Sequence, residues 1–280
     1  MILVTGKGKS GSFSIRGMQL GGAIGAHVIA NATEADIRRS DLVVLVKRPT
    51  EEILAHCRKH ARPIVWDVVD AWPQPHGNDW DRDICMDWLR SEVSTIKPRA
   101  IVAATQKMAD DCSQFGVPVL WLPHHHRPGI ERNPIRERIE VVGYEGGEAY
   151  IHKWKRYISV ACNNIGARFV VNPQRLADVD VVLALRDARG YAPRNWKSGC
   201  KSENAKGSGT PIIACREAGY LELSCGAEYW ADSSSELSTA LAWLSSREAR
   251  LEVSGRLFAS RISVDVAARR MKEWMSRILS

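Results

Sequence analysis

Residues 195–222 read NWKSGCKSENAKGSGTPIIACREAGYLE, and this stretch decides the fold. Ser202 is placed to cap a helix that starts near Glu203. Gly207 and Gly209 are expected to end that helix, because glycine enters the left-handed conformation at little cost. Pro211 leads into the apolar run Ile212–Cys215, which reads as a central strand of a parallel sheet. A strand beside Gly-bearing loops, with Lys197 and Lys201 close in sequence, is a seat for a diphosphate, since backbone N–H groups and ammonium groups both favour an anion there.

The same rhythm extends in both directions. Met1–Gly6 reads as a strand, followed by the loop Lys7–Ser14 and a helix over Ile15–Gly25. Gly8-Lys9-Ser10 ends like a phosphate-binding P-loop, but Leu3 stands where the motif's first Gly belongs, so that reading fails. A dinucleotide fingerprint also fits poorly, for want of a placed acidic partner. Asp41–Val46 and Pro63–Val69 are further buried strands, and Thr50 caps the helix Glu51–His60 between them. Asp70 follows the second of these strands, at the end where open α/β sheets bind ligands, which makes it a candidate for chemistry. Asp79, Asp81 and Asp83 read as acids at a helix start rather than as a metal motif. His124, His125 and His126 are consecutive, point in different directions, and cannot close one tetrahedral metal site. The Pro- and charge-rich stretch 127–138 reads as a linker. Ile139–Gly143 then restarts the pattern, with Gly146 and Gly147 in the loop after it and Arg186 after the strand Val179–Leu185.

The run K…KSENAKGSGTPIIA…E.GYLE resembles the donor-binding half of GT-B glycosyltransferases. The resemblance implies an α/β protein with two Rossmann-like, doubly wound domains facing across a cleft. Residues 1–130 would form the acceptor-side domain and 131–262 the nucleotide-sugar domain, with a last helix, 263–280, crossing back to the first. It further implies donor contacts from Gly146, Gly147, Arg186, Lys197, Lys201, Asn204, Glu217, Tyr220 and Glu222. The first loop, through Gly11, Ser12, Ser14 and Arg16, would reach donor phosphate or acceptor. Asn204 stands where the family commonly has a ribose-gripping Glu. Trp196 and Asn204 stand where retaining members have a spaced pair of Glu, and this departure leans the expectation toward an inverting hexosyltransferase. Arg186, Lys197 and Lys201 would neutralise the leaving diphosphate, making a divalent metal dispensable, and Asp70 would be the catalytic base.

The stretch around Asp70 is similar to one in T-even phage DNA β-glucosyltransferases. That similarity favours a UDP-glucose donor and, as acceptor, a hydroxymethylated pyrimidine such as 5-hydroxymethylcytosine in double-stranded DNA. A saccharide or glycan-lipid acceptor is the alternative, and a nucleotide-binding module without catalysis is a further one.

Length and composition agree with a two-domain enzyme of this kind. The chain has 280 residues, 45% apolar and 25% charged. Its net charge of +7 divides into +2 over residues 1–134 and +5 over 135–280, so no basic tail exists and an anionic partner is suited without being demanded. Seven cysteines without a metal-type spacing, and no run long enough to span a membrane, lead to the expectation of a cytoplasmic monomer.

Overall fold

The computed structural model describes residues 1–279, which form two compact units. The strands are β1 Ile2–Gly6, β2 His27–Val28, β3 Leu42–Val46, β4 Ile64–Asp67, β5 Ala100–Ala103 and β6 Val119–Trp121 in unit 1. Those of unit 2 are β7 Val141–Tyr144, β8 Arg168–Val171, β9 Val181–Ala184, β10 Ile212–Ala214 and β11 Tyr229–Trp230. The α-helices are α1 Glu34–Arg39, α2 Glu51–Lys59, α3 Arg82–Ile96, α4 Gln106–Cys112, α5 Lys155–Asn164, α6 Tyr191–Asn195, α7 Cys200–Ser208, α8 Ala218–Leu221, α9 Ser234–Leu244, α10 Arg247–Ala259 and α11 Val264–Leu279.

Unit 1 holds residues 1–124, 190–198 and 264–279. Its six-stranded sheet runs β2-β1-β3-β4-β5-β6 and every pairing is parallel. The run LVVLV of β3 is buried at every position, as expected of a strand covered on both faces. Helix starts are fixed by side-chain caps: Thr50 accepts from Ile53 N, Asp81 from Ile84 N and Thr105 from Met108 N. Each cap is worth about 1 kcal/mol. The helix after β1 spans Phe13–Gly21 and has the wide π form, so it begins earlier than the sequence suggests. Helix α11 packs against it.

Unit 2 holds residues 125–189 and 199–263. Its sheet runs β11-β10-β9-β7-β8, again all parallel. Counted from the first strand of each unit, unit 2 has the order 2-1-3-4-5, the flavodoxin-like doubly wound arrangement, and unit 1 the same order with a sixth strand added at the far edge. The core gathers Val142, Leu183 and Ile213 from the sheet with Leu237, Leu241 and Leu257 from the helices. Gly143 is required by close packing, because a Cβ there would lie 2.7 Å from Val179.

Three local expectations change. Helix α7 starts at Cys200, with Gly199 as its N-cap and no side-chain cap, so Ser202 sits inside the helix and caps nothing. Gly207 also lies inside α7, while Gly209 alone ends it in the left-handed conformation (φ 68°). Residues 190–198, which the sequence reading gave to the second domain, pack with unit 1.

Candidate active site

In each sheet the strand order reverses beside the first strand, between β1 and β3 in unit 1 and between β7 and β9 in unit 2. Ligands of such sheets bind outside the carboxyl ends of the strands, at or near that reversal. Both units place charged side chains there.

In unit 1, Lys47 follows β3 and Asp70 lies three residues beyond β4. Lys47 Nζ is 2.8 Å from Asp70 Oδ1, and Lys197 Nζ donates to Asp70 Oδ2. Gln74 Nε2 also donates to Asp70 Oδ2, at 3.3 Å, and Lys197 Nζ stands 5.4 Å from the centre of the Trp72 ring. The turn is held by Arg48, whose guanidinium donates to the carbonyls of Ala71 and Trp72. Trp66 Nε1 donates to the Lys47 carbonyl at 2.7 Å. Burial pushes the Asp70 carboxyl up, but the ammonium groups of Lys197 and Lys47 outweigh it and hold the carboxyl well below the usual range. Lys47 (φ 66°) and Val69 (φ 53°) both adopt left-handed backbone. For β-branched Val69 this costs about 1–2 kcal/mol, and strain of this kind clusters at functional sites.

Lys197 owes its position to a buried knot within unit 1. Asp111, on α4, accepts from Tyr191 Oη at 2.7 Å and from Trp196 Nε1 at 2.9 Å, and pairs with Arg82 at 3.0 Å. Thr105 Oγ1 donates to the Asn195 carbonyl at 2.8 Å. Gly190 lets α6 approach the loop before α3, since a Cβ there would fall 2.5 Å from the Asn78 carbonyl oxygen.

In unit 2, the loop Glu145-Gly146-Gly147 follows β7. Gly146 takes φ 142°, and its N–H donates to Asn172 Oδ1 at 2.7 Å. Asn204 of α7 donates to Glu145 at 3.1 Å and accepts from the Arg127 N–H at 3.0 Å. Lys201, one turn earlier, places Nζ 5.1 Å from the centre of the Tyr144 ring. Tyr144 is buried, its hydroxyl has no hydrogen-bond partner among the described residues, and burial pushes its pKa up to about 12. The first turn of α7 has no side-chain cap, and the N–H ends of helices favour anions. Gly146, Gly147, Lys201 and Asn204 therefore gather at one strand end.

Other expected contacts are placed differently. Arg186, assigned to the diphosphate, is 8% exposed; it pairs with Glu217 at 3.0 Å and donates to Tyr220 Oη at 2.6 Å. Burial pushes the Arg186 pKa down, but Glu217 leads the groups that outweigh it, so the guanidinium stays charged. Glu217 and Tyr220 are thus buried partners of Arg186 in this structure rather than exposed hydroxyl acceptors. Glu222 closes α8 and is half-buried. Lys197 lies in unit 1, with Asp70, and not in the unit that carries Lys201. Gly11 and Ser14 are exposed and Ser12 half-buried. Arg16 corrects the expectation of a residue reaching phosphate or acceptor: it lies inside the π-helix, 2% exposed, 3.4 Å from Asp67 and donating to the Leu122 carbonyl. Burial pushes the Asp67 carboxyl up, against Arg16 and the Val69 N–H. His124 and His125 are buried and His126 half-buried. Among the described residues no group of three His, Cys, Asp or Glu is disposed to hold a metal ion, and no helix is long and apolar enough to cross a membrane.

Two groups escaped the sequence reading. Lys47 follows a strong buried strand, the same signal that singled out Asp70, and could have been chosen on it. Lys206, 1% exposed, lies 3.2 Å from Glu203 and 3.5 Å from Glu228 and donates to the Leu223 carbonyl. Nothing local marks that lysine as buried, because Glu228 approaches from beyond α8.

Two doubly wound units of this order, joined in one chain, constitute the GT-B fold. No protein-family model and no curated protein matches the sequence. Solved structures do. HepE of Anabaena in complex with UDP and glucose is similar over 99% of this chain and 100% of that one, with TM-score 0.71 and 13% identity. The same protein in complex with UDP-glucose gives TM-score 0.68 at 13% identity, covering 99% of each chain. Sucrose-phosphate synthase from Thermosynechococcus elongatus gives 0.59 at 13% identity, covering 99% of this chain and 98% of that one. At such identities the likeness is one of fold.

Proposed function

We propose that the chain is a nucleotide-sugar-dependent glycosyltransferase that takes a UDP-hexose and passes the sugar to a saccharide or glycan-lipid hydroxyl. The observation that carries this reading is the strand end of β7 in unit 2. A glycine loop there lies beside Lys201, Asn204 and the uncapped first turn of α7. Uncapped N–H groups and a lysine together stabilise the charge that develops on a departing diphosphate. Arg186 is held by Glu217, so in this reading Lys201 and the amides carry the neutralisation. HepE, similar in fold, was solved with UDP-glucose, which supports the choice of donor.

Asp70 is the proposed acceptor of the proton from the attacking hydroxyl, in an inverting displacement. Its two lysines keep it ionised throughout the neutral range and lower its basicity, so the reaction is expected to weaken their hold as it proceeds. The saccharide acceptor is favoured by the company of the fold, HepE with bound glucose and sucrose-phosphate synthase among it. A hydroxymethylated base in DNA remains a second reading, carried by the net charge of +7 and by the similarity around Asp70.

Labelled UDP-glucose, incubated with the protein and either oligosaccharide mixtures or DNA containing 5-hydroxymethylcytosine, separates them. Label in saccharide supports the first reading. Label in DNA that falls steeply with salt supports the second. Absence of transfer from UDP-glucose, UDP-galactose and UDP-N-acetylglucosamine to any acceptor, with no release of UDP, overturns both.

A further inference from the structure

Helix α9 of unit 2 carries an outer stripe that the donor reading does not use. Its inner face, through Leu237, Leu241 and Leu244, is buried in the core. Its outer face presents Ser235, Ser238, Thr239 and Trp243, which helical spacing places on one side. Two hollows flank this stripe and share Ser235. One, of about 310 Å³, lies between Trp243, Tyr229, Trp230 and Thr239. The other, of about 480 Å³, lies between Ser234, Ser238, Arg156 and Tyr157. Trp243 is 46% exposed and Tyr157 48% exposed, and the Trp243 and Tyr229 rings stack at 4.9 Å with a tilt of 38°.

The lining sets aromatic faces and the aliphatic Val160 and Ala240 beside hydroxyl groups, and offers little free charge. Glu236, the one carboxylate in it, accepts from the N–H groups of Asp232 and Ser233 and pairs with Arg216 at 3.2 Å. Ser235 shares a hydrogen bond with Ser233 at 3.1 Å, but an apolar segment laid here would strip water from the exposed hydroxyls of Ser238 and Thr239, at a cost for each one buried. A polyanion would meet Arg156 as the only cation lining either hollow. A neutral chain of pyranose rings matches both features, because its C–H faces stack on indole and phenol rings while its hydroxyls exchange hydrogen bonds with Ser, Thr and Arg.

We propose that this groove is a saccharide-binding site for an oligosaccharide of at least two rings, one seated against Trp243 and Tyr229 and one against Tyr157. Its lining shares no residue with the proposed donor site, and the proposal does not depend on that reading.

The test titrates the 280-residue protein with cellopentaose, maltopentaose and chitopentaose, followed by tryptophan fluorescence and calorimetry, with UDP titrated in a separate arm. Saturable binding of at least one pentasaccharide is expected. Trp243→Ala should weaken it about tenfold or more, and Ser238→Arg, which fills the groove from an exposed helix face without touching the core, should do the same. UDP binding should be unchanged in both variants. A flat response to all three pentasaccharides overturns the proposal, as does binding that survives both substitutions. Self-association of the wild type that Trp243→Ala abolishes, seen by light scattering, also overturns it, by showing that a second copy covers the face. A flat UDP arm beside a saturating pentasaccharide arm would count against the donor reading alone.

Discussion

Asp70 sits between two ammonium groups, and the chemistry available to it follows from that pairing. Its carboxyl is held far below the ordinary value, so the stability gained from the pair is complete above the unfolded-state pKa of about 4 and is lost only as pH falls through the depressed folded value. Lys47→Met removes one ammonium and raises that folded value. The acid limb of the rate profile and the acid unfolding midpoint should therefore both move to higher pH in the variant, as stopped-time assays and circular dichroism across pH 2–7 would read. An unmoved acid limb would mean that Asp70 does not govern turnover. Asp70→Asn should lower kcat by about 10²–10⁴-fold with UDP affinity unchanged. Full turnover in Asp70→Asn would remove it from the chemistry. Lys201→Ala leaves the fold intact, since the side chain is only half-buried, and should weaken UDP binding on the order of tenfold or more.

At the scale of elements, the short helix α6 is held by side chains distant in sequence. Burial and then the hydrogen bond to Asp111 push the Tyr191 hydroxyl up to about 12, so it remains a donor at neutral pH. Asp111→Ala strands the buried Trp196 indole N–H and the half-buried Tyr191 hydroxyl and should cost about 2–4 kcal/mol in chemical denaturation. Asp111→Asn should cost less, because a carbonyl oxygen remains to accept. Gly190 has φ 62° and ψ −173°, a region essentially reserved for glycine. Gly190→Ala should destabilise by about 1–3 kcal/mol for the backbone alone, with more from the Cβ pressed on the Asn78 carbonyl. Strands were the legible part of this scale. Runs such as DLVVLV and PIIA announce burial by composition, and Thr50 and Thr105 announce helix starts by position. Helix α6 was not legible, since YAPRN has no apolar period and its partners Asp111 and Trp80 lie about 80 and about 110 residues away. Ser202 misled for a related reason: a serine before an acidic residue is a good cap only if the preceding residues are not themselves helical, and Gly199 already takes that place.

At the scale of the whole molecule, the repetition of the 2-1-3-4-5 strand order was foreshadowed by the βα rhythm in each half, although the two halves share no repeated sequence. The proposed donor end of unit 2 is a grouping of residues that the sequence shows in part. Gly146, Lys201 and Asn204 do gather, because each follows a strand end or opens a helix. Arg186 and Arg16 did not reach solvent as expected, because whether an arginine at such an end is exposed depends on a carboxylate supplied from elsewhere in the unit, Glu217 for one and Asp67 for the other. Lys197 was assigned to the wrong unit for the same kind of reason, its loop being drawn away by Asp111. On the reading proposed above, unit 2 binds a nucleotide diphosphate against Lys201 and the first turn of α7. Calorimetric titration of UDP into the wild type and into Lys201→Ala tests it most directly. Saturable one-to-one binding that weakens on the order of tenfold or more in the variant is the predicted result; no heat of binding in the wild type at millimolar UDP, or equal affinity in both proteins, would contradict it.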